Sequence, residues 1–324
     1  MHADTESADY GDRSRAIMFI GGILTAAGIA IGLLGPVEMY SFYLFSEGGR
    51  FHYEGFGFGS FMFANIAAQI VGYYLLAAIL VPLGYGHLRM RRWARPLALG
   101  YLWSWLAVGA PLIVVVAIIL LASKNLPMPA MVLALLLLAI SYLVLPVISI
   151  RFYQGRNVTL TFAAGADESC WLERLPVAIL VLSSLYSFFA IMLHILVLLN
   201  GMFPLFGEFA FGLQGIALLD LSIGCLILLV LGTLHRRAWA WWGAVVWFSL
   251  FTTSTIMTFL ANDYASILMG LGFPSTEMEI LGNIPAQGYH FAVLVGLPLL
   301  MTLIIIVRSK RHFIGRGRPL RGLA

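Results

Sequence analysis

Two ionisable side chains lie well inside apolar stretches of this chain, His194 and Asp220. Imidazole titrates near neutral pH and a carboxylate changes its proton affinity with its surroundings, so together they could share or pass a proton. Charge in a bilayer is costly, which makes such residues candidates for function. His194 lies five residues before the outer end of the fifth apolar stretch, and Asp220 seven after the start of the sixth. At about 1.5 Å per helical residue, both fall about 8–10 Å below one membrane edge. A short loop makes these helices antiparallel neighbours, so a His194–Asp220 hydrogen bond or ion pair is geometrically plausible.

Other polar groups share that depth. Asn65 and Gln69 stand one turn apart in the second stretch, and Ser183 and Ser187 share a face with His194. Thr252, Thr253, Ser254, Thr255 and Thr258 occupy the outer half of the seventh. If these helices meet, Asn65, Gln69, Ser187 and Thr255 join His194 and Asp220 in an outward-facing polar pocket for a solute or ion. The competing reading is that hydroxyl and amide groups hold helices together. His52, Glu54, Glu208 and His290 also belong to the outer side, but no spacing among them defines a metal-ligand set.

The elements that position these residues are membrane spans. Hydrophobic residues make up 61% of the 324 and charged residues 10%, against roughly a quarter charged in soluble chains. A span needs about 20 apolar residues, and eight stretches qualify: 17–34, 61–83, 97–121, 130–150, 177–199, 213–234, 239–260 and 288–307. Long unbroken runs predict helices, not the short alternating strands of a barrel. The expected fold is an all-α polytopic membrane protein, a bundle of eight transmembrane helices.

Of 19 Lys and Arg, only Arg50 and Lys124 fall on one side of these stretches. The other side holds the Arg89–Arg95 cluster, Arg151, Arg156, Arg174, Arg236, Arg237 and the tail after Arg308. By the positive-inside rule the basic side is cytoplasmic. This predicts a cell (inner) membrane protein with both termini cytoplasmic and an uncleaved first helix. The parts are a tail over 1–16, helices 1–4 over 17–150, a cytoplasmic loop over 151–176, helices 5–8 over 177–307, and a basic tail over 308–324. The net charge of +4 fits anionic lipid headgroups at that face and is no nucleic-acid signal. Cys170 and Cys225 supply neither a disulfide framework nor zinc spacing.

Three connections carry further expectations. The aromatic-rich segment 35–60 reads as an outer loop on the bilayer surface, and Val158 to Phe162 as a strand of a small hairpin. Ile267 to Phe273 is too short to span and reads as re-entrant or interfacial. All eight Trp fall toward the basic side, with Trp103, Trp105 and Trp247 expected to fill that half of the bundle.

Three matches in the same order suggest two parallel four-helix repeats. Glu54 to Gly59 resembles Glu208 to Gly212, Arg91-Arg92-Trp93-Ala94 resembles Arg236-Arg237-Ala238-Trp239-Ala240, and Leu145-Pro146 resembles Leu297-Pro298. Pro146, Pro298 and Gly109-Ala110-Pro111 predict kinks, and Gly28 and Gly32 have the spacing of close helix contact.

No P-loop, His-Glu-x-x-His or Gly-x-Ser-x-Gly motif is present, so no catalytic residue, cofactor or metal is assigned. The first functional expectation is a non-enzymatic membrane protein, a structural, assembly or complex subunit with a homo-oligomeric or membrane-complex partner. The alternative is a small-solute or lipid transporter or channel. An intramembrane enzyme using His194 and Asp220 is the third.

Overall fold

The computed structural model describes residues 11–53, 55–122, 127–165 and 170–314. Glu54, Lys124, Asp167, Arg316, Arg318 and Arg321 lie outside these. The order is α1 (Ser14–Phe45), α2 (Phe61–Leu88), α3 (Ala94–Ala122), α4 (Met128–Ala139), a π-helical turn (Ile140–Val144), α5 (Leu145–Gln154), α6 (Arg156–Ala164), α7 (Val177–Leu198), β1 (Phe203–Leu205), β2 (Glu208–Ala210), α8 (Gly212–Leu234), α9 (Ala238–Ala261), α10 (Tyr264–Leu271), α11 (Ser275–Gly282) and α12 (Gly288–Arg308). Among the described residues, eight helical segments are long and apolar enough to cross a membrane, α4 to α5 counting as one.

Helices α1 and α2 pack along their length through a glycine stripe. Gly21 faces Gly84 and His87, Gly28 faces Leu80 and Val81, Gly32 faces Ala77 and Gly35 faces Tyr74. A Cβ at Gly28 would come within 2.8 Å of Val81. The Gly28/Gly32 spacing therefore serves contact within the chain. Helix α1 is also far longer than its apolar core suggests. It continues through Pro36 to Phe45, so Tyr40, Phe42, Tyr43 and Phe45 are helical rather than in a loop. One missing N–H does not end a helix whose neighbouring turns stay bonded and packed.

Helix α7 is central, packing against α2, α3, α8 and α12. Its buried face, including Leu182, Leu185, Tyr186 and Phe189, builds the main apolar core with α8, α9 and α12. In the fourth span, Pro146 has no N–H to give. The helix widens just before it, and Leu145 N–H bonds to Ile140 C=O five residues back. Gly109 of α3 receives the Tyr142 ring of this turn.

The 151–176 connection departs from expectation. Val158 to Phe162 is part of α6, not a strand. Val158, Thr161 and Phe162 are its buried residues, a helical i, i+3, i+4 face that outweighs the β preference of its branched residues. Phe162 meets the edge of His87, and the Thr161 hydroxyl accepts Arg13 N–H at 3.2 Å. Trp103 and Trp105 are exposed instead of filling the interior. The buried indole is Trp241, which donates to Ile306 C=O at 2.8 Å under the Lys310 ammonium.

The connections after α2 and α8 share one geometry. Met90 and Arg236 adopt left-handed backbones, φ 50° and 54°. Arg91 N–H bonds back to Gly86 C=O at 2.7 Å, and Arg237 N–H to Gly232 C=O at 2.9 Å, as in a Schellman-type cap. Trp93 and Trp239 lie over Gly86 and Gly232, where a Cβ would approach the indoles to 2.8 and 2.6 Å.

Candidate functional site

The polar residues singled out by sequence separate into two groups. Asn65, His194 and Asp220 are exposed on their spanning helices, and Gln69 and Ser187 are half-buried. Gln69 accepts from the Tyr73 hydroxyl at 3.3 Å. Thr255 is buried, with its hydroxyl unpartnered.

His194 and Asp220 are exposed at matching height on two helices that pack against each other. Gly201, in the turn after α7, lies against the backbone of Gly215 and Ile216. His194 is four residues before the end of α7 and Asp220 five beyond Gly215, distances of about 6 and 7.5 Å, so their depths match. On α8, Leu229 and Gly232 meet α9, and Asp220 lies roughly 150° around the helix from them. On α7, the Tyr186 ring meets Phe248 of α9 at a tilt and Phe189 meets it edge-on, and His194 is turned roughly 110° away. Only Met192 and His194 of α7 are exposed. His194 donates its Nδ1–H to Ala190 C=O at 2.7 Å, because a carbonyl can only accept. That leaves Nε2 for another group. No hydrogen bond within the described residues joins it to Asp220.

Two hydroxyls of the α9 run, those of Ser254 and Thr258, are engaged, whereas those of Thr252 and Thr255 are buried without a hydrogen-bond partner. Ser254, Thr258 and Asn262 recur every four residues and grip the β1–β2 turn. Ser254 Oγ donates to Pro204 C=O and accepts Phe206 N–H, both at 2.9 Å. Thr258 Oγ1 accepts Gly207 N–H at 3.0 Å, and Asn262 Nδ2 donates to Gly207 C=O at 2.9 Å. This two-residue turn places Phe206 at φ 43° and Gly207 at φ 111°. Two-residue hairpin turns favour such positive φ values, and usually Asn or Gly to adopt them. The α9 bonds hold a phenylalanine there instead.

No protein-family model, curated protein or solved structure matches this chain. The site must therefore be read from its geometry. Ser249, Thr252 and Thr253 of α9, with Leu300 and Leu303 of α12, line an open groove of about 390 Å³. It does not include His194 or Asp220. Among the described residues, no three His, Cys, Asp or Glu side chains gather to hold a metal. Glu208 is exposed, His52 bonds to Glu47 C=O, and His290 Nδ1 accepts Gln287 N–H at 2.9 Å.

Two polar centres were not anticipated. His87 is wholly buried, whereas His194 is exposed. Its Nδ1 meets Leu83 C=O and its Nε2 the Tyr153 hydroxyl, each at 2.7 Å. Arg95 adds a bond to Tyr153 C=O at 2.8 Å. His87 lies just past the 61–83 apolar stretch, and Tyr153 of α5 and Phe162 of α6 cover it. Glu277 is the other. Only 4% exposed, it accepts Phe61 N–H at 2.7 Å and Met62 N–H at 2.9 Å. Ser60 takes Phe63 N–H, so three otherwise orphaned donors at the start of α2 are satisfied. Burial, then the Glu277 carboxylate, raises the pKa of Tyr53, which also donates to it at 3.4 Å. No local spacing signals this contact, since the partners are more than 200 residues apart.

Proposed function

We propose that this protein is a non-enzymatic membrane subunit, with a structural or assembly role, that docks another membrane-embedded protein through α7 and α8. One observation carries the reading: Asp220 is an exposed carboxylate on a spanning helix with no bond inside the described chain. A carboxylate in that position is costly unless a partner receives it. Leu213, Ala217, Asp220, Gly224, Ile227 and Leu231 are all exposed, and they recur at alternating steps of four and three. That is the seam spacing of packed helices.

A transporter or channel for a small solute or lipid is the weaker reading. It requires Asn65, Gln69, Ser187 and Thr255 to converge on His194 and Asp220, whereas Asn65 faces outward and the α9 face of Ser254 and Thr258 is occupied by the hairpin.

We further propose a cell (inner) membrane location with the basic side and both termini cytoplasmic, against anionic headgroups. Two parallel four-helix halves are supported by the matched connections after α2 and α8, where Gly86, Trp93 and Ala94 correspond to Gly232, Trp239 and Ala240.

A photoreactive amino acid at exposed Ile227, on the seam, tests docking in native membranes. Discrete protein adducts are expected, and adducts to lipid alone would exclude the subunit reading.

A further inference from the structure

We infer that the docking partner is a second copy of this chain, placed so that each His194 meets Asp220 of the other copy. This rests on the subunit reading above and names its partner. Adjacent helices present an imidazole with Nε2 unengaged and a carboxylate with no bond, at matching height. A surface carrying both halves of a pair is complementary to itself. A two-fold axis along the membrane normal reverses left and right between facing copies. If the axis passes between α7 and α8, then α8 of each copy lies over α7 of the other. Both His194–Asp220 contacts then form at once.

The relief of the surface suits this arrangement. On α7 only Met192 and His194 are exposed and the rest are half-buried or buried, whereas α8 presents a full exposed seam. A recessed helix beside a prominent one accepts the prominent helix of a rotated copy. Small residues flank Asp220, with Ala217 one turn before it and Gly224 one turn after. A Cβ added at Gly224 would meet nothing within 4 Å, leaving room for a helix to approach closely. With Nδ1–H committed to Ala190, His194 pairs through Nε2. It accepts a proton-bearing carboxyl or, as imidazolium, donates to a carboxylate, so the pair holds one proton in either form.

The test is a charge exchange read by energy transfer between labelled full-length copies in liposomes. Wild-type copies should associate at low protein-to-lipid ratio. His194→Asp alone and Asp220→His alone should each weaken association at least tenfold, since like groups then face each other. Mixing the two variants should restore it, because the two carboxylates of one variant then face only the two histidines of the other. Failure of mixing to rescue, with rescue by both substitutions in one chain, would mean that the pair forms within a copy and would overturn the inference. A wild type that stays monomeric at every ratio would also overturn it, and needs no variant to fold. Adducts at Ile227 to a different membrane protein, with none between copies, would sink the self-association while leaving the subunit reading intact. Adducts to lipid alone would sink both.

Discussion

Glu277 accepts the backbone N–H of Met62 at 2.9 Å across 215 residues of chain. With Phe61 N–H at 2.7 Å, this bond fastens the short helix α11 to the start of α2. The carboxylate is buried against the positive end of a helix, where anionic acceptors are most effective. Glu277→Ala should lower stability in detergent by about 2 kcal/mol, at the upper end of helix-cap losses. Thermal unfolding measures this, and Glu277→Gln, which keeps one acceptor, should lose less. Equal stability of Glu277→Ala and wild type would show that the contact does not fasten α11 to α2.

The His87–Tyr153 bond makes a different kind of prediction. Tyr153→Phe leaves Nε2 of a wholly buried histidine without its partner, at a cost of about 1–3 kcal/mol. Replacing both, as His87→Leu with Tyr153→Phe, should cost less than the sum of the single changes, because contacting groups couple. A double-mutant cycle from unfolding in one detergent checks it. Strict additivity would mean that the two side chains act independently.

Ser254→Ala removes both the acceptor for Phe206 N–H and the donor to Pro204. The β1–β2 turn, with Phe206 at φ 43°, should then loosen by about 1–2 kcal/mol. Hydrogen exchange of the Phe206 and Gly207 amides reads this directly. Phe206→Gly in the same background should recover part of the loss, since glycine adopts that backbone without strain.

Asp263 caps α10 by accepting Ser266 N–H at 2.9 Å. Hydrogen bonding from Ser266, side chain first and backbone second, lowers its pKa below the usual carboxylate value. A lowered folded value means that the cap's contribution is complete above the unfolded value of about 3.9, and is lost as pH falls through the depressed one. Amide protection in α10 should therefore fall on acidification below about pH 4. Asp263→Asn, also a capping residue, should abolish that pH dependence.

The spans were legible because a bilayer demands long apolar segments, and the glycine spacing of α1 announced close packing that α2 supplies. The depth match of His194 and Asp220 was legible too, since helical rise and a short loop constrain it. Side-chain direction was not. The Thr and Ser residues of α9 have one sequence signature whether they line a pocket or grip a hairpin. Which they do depends on Phe203 to Ala210 folding back against them. His87 and Glu277 became the buried polar centres through partners 66 and more than 200 residues away. By itself, then, the sequence determined eight apolar helical segments long enough to span, because solvation acts on residues locally. Tertiary structure alone decided which polar groups are satisfied and which remain exposed, because hydrogen bonds need a partner whose position no local pattern encodes.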